Sequence, residues 1–132
     1  MRHLSLWSPV AVYMAAIFYV SSLSDVSLPG GVSDVSLHSL AYLGLAVVVV
    51  RALAGGVPRR IGPGVVLGAL LITVAYGASD EVHQMFVPGR SAEWRDLLAD
   101  AAGALIGTIG CWAWGILSPI SEPTRGHSRD EL

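Results

Sequence analysis

Residues 76–100 read YGASDEVHQMFVPGRSAEWRDLLAD and join the end of one long apolar run to the start of the next. The first run ends in acidic, imidazole and amide side chains, and a Pro-Gly-Arg turn at residues 88–90 follows. Successive residues of an α-helix are about 100° apart, so four polar side chains share one arc of the predicted helix: Tyr76, Asp80, His83 and Gln84. This stretch therefore ends one helix and begins another.

The second apolar run carries a narrow face of its own. Asp96 and Asp100 are one turn apart on the predicted helix, and Gly103 and Gly107 continue the same face. Glu81 lies at the edge of the arc on the preceding helix. Two helices joined by a tight turn can direct such faces toward each other, so we expect one polar site between them.

The composition of the chain excludes several classes of protein. Of its 132 residues, 53% are hydrophobic and only 14% are charged, whereas soluble domains carry roughly 25% charged residues. The eight basic residues are scattered arginines, so we expect no nucleic-acid partner. Cys111 is the only cysteine, which excludes an intramolecular disulfide. The chain is expected to be a membrane protein.

Four apolar stretches are long enough to cross a bilayer core, which takes about 20 helical residues. They cover about residues 4–23, 35–53, 64–85 and 94–117. We therefore predict an all-α fold, a four-transmembrane-helix bundle that forms a membrane domain of residues 1–117. The first stretch exceeds a signal-peptide core and has no A-x-A cleavage site after it, so we expect it to be retained. Residues 118–132 are predicted to be a disordered cytoplasmic tail.

The distribution of arginine predicts the orientation of the four spans. Arginines lie near the N-terminus, between spans two and three, and in the tail, but not between spans one and two. Arg90 and Arg95, in the third loop, depart from this pattern, and we take them as held there by the neighbouring carboxylates. We therefore expect both termini to be cytoplasmic and the first and third loops to face outward.

Asp34, His38 and Tyr42 are spaced by four along the second span and so share one side of the helix. This topology places Asp34 and His38 at the same membrane face as Asp80. We predict a polar pocket that opens outward and extends into the bilayer.

The clustered side chains suggest two kinds of chemistry. A guanidinium such as that of Arg90 or Arg95 can pair bidentately with phosphate or carboxylate. His83 or His38 can exchange a proton with a neighbouring carboxylate and so act in general acid–base catalysis. The catalytic candidates are Asp80, Glu81, His83, Asp96 and His38, and the ligand-binding candidates are Gln84, Arg90, Arg95, Asp100, Asp34 and Tyr42.

Two other interpretations of the cluster stay open. Its carboxylates and two histidines can hold a divalent ion, but no motif such as H-E-x-x-H occurs, and we assign no metal ligand and no cofactor. The charged groups can also neutralise one another and serve only to stabilise the turn at residues 88–90. Whether the chain is an enzyme is left open.

These residues resemble the VanZ-like family of small bacterial membrane proteins. The resemblance is carried by the pattern S-D-E-x-H-Q-x-F-x-P-G-R at residues 79–90, and by seven later and earlier positions: Asp96, Asp100, Gly103, Gly107, Asp34, His38 and Tyr42. Ser21 and Ser22 are similar to the end of the family's first span. The chain departs from the family at Val35, where Lys is common, and at Asp100, where Asn is common.

The resemblance implies a multi-pass protein of the bacterial cell membrane, in a family named after a member linked to resistance to the glycopeptide teicoplanin. It supplies no settled activity. We expect the chain to bind or process an anionic or lipid-linked component of the cell envelope, with membrane lipid as a further partner and a homo-oligomer left open. The alternatives are a small proton-linked transporter, with Asp100 and His38 as a relay, and a non-catalytic membrane adaptor with a structural ion-pair cluster.

Overall fold

The computed structural model describes residues 2–24, 33–56 and 60–117. In these ranges the chain forms four helices and no strand: α1 Arg2–Ser21, α2 Asp34–Leu53, α3 Pro63–Gln84 and α4 Trp94–Leu117. Each helix is long and apolar enough to cross a membrane, so the predicted all-α, four-helix fold is confirmed. Every helix bound lies within two residues of the predicted span. The predicted tail, residues 118–132, lies outside the described residues.

Local sequence explains where the helices begin and where the chain turns. The Ser33 side chain accepts a hydrogen bond from the Ser36 backbone N–H and so caps the start of α2. Pro63 opens α3, where the N–H that proline lacks would have no intrahelical partner. Gly55 and Gly89 have φ angles of 75° and 81°, which only glycine adopts readily, and they turn the chain after α2 and α3.

Helix α2 lies at the centre of the bundle. It packs most extensively on α4 and also contacts α1 and α3, whereas the backbones of α1 and α4 do not approach each other closely within the described ranges. Leu45, Val49 and Val50 of α2 are fully buried. Since lipid tails are as apolar as these side chains, helices in a bilayer associate through close packing and polar contacts.

Glycines bring α4 unusually close to α2. A Cβ on Gly103 would collide with the Ser39 carbonyl oxygen, and a Cβ on Gly107 would lie 2.7 Å from the Leu43 carbonyl oxygen. The face of α4 that carries Asp96 and the glycines therefore packs on α2. The sequence predicted that this face meets α3, and it does so only at Asp100, which packs against Gly77 of α3. The two glycines of the face pack on the central helix α2 instead.

The helices alternate in direction, so each end of the bundle collects two helix starts and two helix ends. At one end the Arg2 guanidinium donates a hydrogen bond to the Gly55 carbonyl oxygen at 3.3 Å. At the other end, Ser21 of α1 contacts Asp80 of α3, and His38 of α2 contacts Asp100 of α4. We call this second end the polar end.

Candidate functional site

A buried pair links α2 and α4 at the polar end. His38 Nδ1 and Asp100 Oδ1 lie 2.9 Å apart. The Asp100 side chain is completely buried, and Gly77 makes room for it, since a Cβ there would lie 2.9 Å from Asp100 Oδ2. The second ring nitrogen of His38 lies 4.0 Å from Asp96 Oδ2. The structure therefore brings an imidazole and two carboxylates together from separate helices.

Glu81 joins this group from α3. Its Oε2 atom accepts a hydrogen bond from the Glu93 backbone N–H at 3.0 Å, at the start of α4. The side chain is buried, and one of its oxygens lies within 4.8 Å of ligand atoms of His38 and Asp100. Glu81 was predicted at the edge of the polar arc of α3, and this offset turns it toward α2 and α4.

Asp80 connects α3 to α1. The Ser21 hydroxyl donates a hydrogen bond of 2.6 Å to Asp80 Oδ1, and the Gln84 amide donates one of 3.3 Å to Oδ2. All three side chains are buried. Ser21 was not predicted as a site residue. Its position at the outer end of the first span, level with the other polar residues, could have indicated that it belongs to the site.

His83 also faces α1 and lies apart from His38. Its Nε2 atom is 3.0 Å from the Ser22 hydroxyl oxygen, and its ring centroid is 4.3 Å from that of Phe18. The Tyr76 hydroxyl on the same side of α3 donates a hydrogen bond to the Met14 carbonyl oxygen at 2.7 Å. The polar arc that the sequence directed at α4 thus meets α1.

The two predicted anion binders have different surroundings. Arg90 is half-buried after the turn, and its buried Nε atom has no hydrogen-bond partner among the described residues. Arg95 is exposed, and its guanidinium lies 5.9 Å from the centre of the Trp94 ring. Only Arg90 lines the cavity described next.

A cavity of about 230 Å³ lies between α1, α2 and α3. Its wall is mostly apolar, formed by Tyr13, Ala16, Ile17, Val20, Leu37 and Ala41. The polar part of the cavity lies at the polar end of the bundle. It is lined by Ser21, Asp34, His38, Tyr42, Asp80, Gln84 and Arg90. Six of the predicted site residues therefore meet at one cavity: Asp34, His38, Tyr42, Asp80, Gln84 and Arg90. Glu81, His83, Asp96 and Asp100 do not line it.

Several buried polar atoms at the polar end have no partner within the described part of the chain. They include the Tyr42 hydroxyl, Glu81 Oε1 and Asp100 Oδ2. An unsatisfied buried polar group costs about 1–3 kcal/mol. Such atoms are expected where a bound ligand or ion supplies the missing hydrogen bond or coordination bond.

Two sets of three side chains have the spacing of metal ligands. His38, Glu81 and Asp100 form a buried set, and Asp34, His38 and Asp96 form a set nearer the surface. In each set the potential ligand atoms all lie within 4.8 Å of one another. No linear motif revealed these sets, because the buried set takes one residue from each of three helices.

Comparison with known proteins identifies a family for this chain. A family profile described as VanZ/LLP1 matches residues 9–117, which include most of α1, all of the other helices and every residue of the polar end. No curated protein and no solved structure matches the chain. The chain belongs to the VanZ/LLP1 family and, with four helices able to cross a membrane, is a multi-pass membrane protein of that type.

Proposed function

We propose that this protein binds a lipid-linked component of the bacterial cell envelope by its phosphate-bearing head group. The observation that carries the proposal is the division of one cavity into an apolar wall and a polar end. A lipid-linked head group has the same two parts. In this proposal the protein lies in the bacterial cell membrane, both termini are cytoplasmic, and the polar end faces outward.

The apolar wall suits the first part of a lipid chain. Ile17 and Val20 of α1 and Leu37 of α2 line the cavity between the two helices. Ligand sites are mostly apolar, and a few polar groups set the orientation of the ligand. A chain that enters between α1 and α2 would carry its head group toward Arg90.

Arg90 is the group best suited to hold a phosphate. Its Nε donor has no partner in the part of the chain that the structure describes, and arginine binds phosphate through two parallel hydrogen bonds. Asp34 and Asp80 also line the polar end, and ionised carboxylates only accept hydrogen bonds. The preferred head group therefore carries hydroxyl or ammonium donors beside its phosphate.

His38 is the candidate for proton transfer in this proposal. Within the described ranges it is the one histidine that lines the cavity, and it is paired with Asp100. His83 instead lies against Ser22 and Phe18. Any acid–base step on a bound head group would therefore use His38.

Binding to the purified protein in lipid nanodiscs tests the proposal. A polyprenyl phosphate should bind, and the neutral polyprenol and inorganic phosphate should bind more weakly. Arg90→Ala should weaken binding by about 10–100-fold, because hydrogen bonds to charged groups contribute about 1.5–3 kcal/mol.

The neighbouring Arg95→Ala variant is the matched control, since Arg95 does not line the cavity. It should bind the polyprenyl phosphate as tightly as the unchanged protein. Equal binding by the Arg90→Ala variant, or equal losses in both variants, would contradict the proposal.

Proton-linked transport is a second candidate, supported by the 2.9 Å contact between His38 and Asp100. A relay across the membrane would need further groups, and the described helices α2, α3 and α4 carry no carboxylate or histidine between Asp100 and the opposite end. Binding is therefore the better-supported function. Proton flux into liposomes that is lost in Asp100→Asn would favour transport instead.

A further inference from the structure

We propose that this protein binds one divalent metal ion between α2, α3 and α4, with His38, Glu81 and Asp100 as ligands. Each helix supplies one ligand, and the three ligand atoms lie within 4.8 Å of one another. Glu81 and Asp100 do not line the cavity. His38 does line it, so the ion site adjoins the cavity through this one ligand.

The distances between the ligand atoms fit a shared ion. His38 Nδ1 and Asp100 Oδ1 lie 2.9 Å apart. Two ligand atoms that are each about 2.1 Å from an ion, at a right angle, are about 3 Å apart. An ion can therefore take the place of the proton between these two atoms with little movement of either helix.

Two unpartnered oxygens independently indicate a ligand at this place. Glu81 is 6% exposed and Asp100 is 0% exposed, yet Glu81 Oε1 and Asp100 Oδ2 have no hydrogen-bond partner among the described residues. In the same part of the chain no arginine lies within ion-pair distance of either carboxylate, and His38 alone pairs with Asp100. A buried carboxylate needs a partner for its charge, and a divalent ion would neutralise both.

Neighbouring groups already orient the ligands. The Glu93 backbone N–H binds Glu81 Oε2, which leaves Oε1 for the ion. Asp96 Oδ2 lies 4.0 Å from His38 Nε2, where it can orient the ring once Nδ1 binds the ion. Metal-bound histidines commonly donate their other N–H to a carboxylate in this way.

The donor set indicates the class of ion. One imidazole nitrogen and two carboxylate oxygens suit Zn²⁺ or Mn²⁺, whereas Ca²⁺ and Mg²⁺ prefer oxygen ligands alone. The alternative set of Asp34, His38 and Asp96 shares the histidine, but Asp34 is exposed, and neither aspartate has a buried oxygen that lacks a partner among the described residues. We therefore place the ion in the deeper set.

Metal binding by the full chain in nanodiscs tests this placement. The protein is stripped with a chelator, loaded with Zn²⁺ or Mn²⁺, desalted and analysed for metal. We expect about one ion per chain and a higher midpoint of thermal unfolding, because an ion that binds only the folded state stabilises it. No retained ion and no change of the midpoint would overturn the proposal.

Matched variants locate the ion. Glu81→Gln and His38→Gln should weaken binding by more than about 100-fold, because even outer-shell partners of a metal account for about 10–100-fold. Glu93→Gln and His83→Gln are the matched controls and should bind normally. Asp34→Asn should also bind normally, and loss of the ion in Asp34→Asn but not in Glu81→Gln would overturn the placement.

A measurement on the unchanged protein covers the case in which a ligand variant does not fold. Electron spin-echo spectroscopy of bound Mn²⁺ detects coupling to a directly bound nitrogen. We expect coupling to one imidazole nitrogen. Bound Mn²⁺ with no nitrogen coupling would exclude His38 as a ligand and overturn the proposal.

Discussion

His38 Nδ1 and Asp100 Oδ1 lie 2.9 Å apart, although 62 positions separate the two residues in the chain. Two glycines make the contact possible. Gly103 lets α4 approach the Ser39 carbonyl of α2, and Gly77 of α3 leaves the space that the Asp100 carboxylate occupies. The central polar pair therefore depends on close helix packing as much as on its own charges.

Removing the Asp100 carboxylate should destabilise the metal-free protein strongly. Asp100→Ala is expected to lower the free energy of unfolding by about 3–5 kcal/mol, because it leaves His38 buried without its partner. Asp100→Asn keeps a hydrogen-bond acceptor and should cost less. Denaturant unfolding in mixed micelles with a chelator measures both changes.

The control for this prediction is Asp34→Ala, at the exposed start of α2. It should change the free energy of unfolding by less than about 1 kcal/mol, since an exposed carboxylate interacts only weakly with the helix dipole and with the nearby His38. If Asp100→Ala were as mild as Asp34→Ala, the buried pair would not stabilise the fold.

Gly103→Ala should separate α2 from α4. The added methyl group meets the Ser39 backbone carbonyl, which cannot rotate away as a side chain could, so we expect a loss of about 1–3 kcal/mol. For Gly110 on the same helix, no atom of the described ranges lies within 4 Å of the position of a Cβ. Gly110→Ala should therefore be neutral or stabilising by up to about 1 kcal/mol, and equal losses in both variants would contradict the packing.

Ser21→Ala should loosen α1 from the rest of the bundle. The lost hydrogen bond to Asp80 joins α1 to α3, and a hydrogen bond to a charged group contributes about 1.5–3 kcal/mol. Hydrogen exchange of the α1 backbone amides should become faster. Ser79→Ala is the control and should leave α1 exchange unchanged. Among the described residues the Ser79 hydroxyl donates only to the Tyr76 carbonyl of its own helix.

The orientation in the membrane can be tested by cysteine labelling in whole cells. In a Cys111→Ser background, a membrane-impermeant maleimide should label Ser91→Cys, between α3 and α4, from outside the cell. Arg60→Cys, before α3, should react only after the cells are opened. Both replaced side chains are exposed. The reverse pattern would place the polar end in the cytoplasm and would contradict the proposed envelope ligand.

The four helices and the grouping of the polar residues could be predicted from the sequence alone. A run of about 20 apolar residues has few alternatives to a helix in a bilayer, where every backbone group must be satisfied internally. Successive spans cross in opposite directions, so Asp34 and His38 at the start of α2 had to lie level with Asp80 at the end of α3. The length of the apolar runs was sufficient to predict the four helices. The spacing of the polar residues and the alternating direction of the spans were sufficient to predict their grouping at one end.

Only the tertiary structure decided which helix each polar side chain faces. Helical periodicity placed Asp80 and His83 in one arc, yet this arc meets α1, whereas Glu81 at its edge turns toward His38. Periodicity defines directions around a single axis, and the neighbour in each direction depends on how all four helices pack. Here the decisive contact is the approach of Gly103 to the Ser39 backbone, which brings the face of α4 with its carboxylates onto α2.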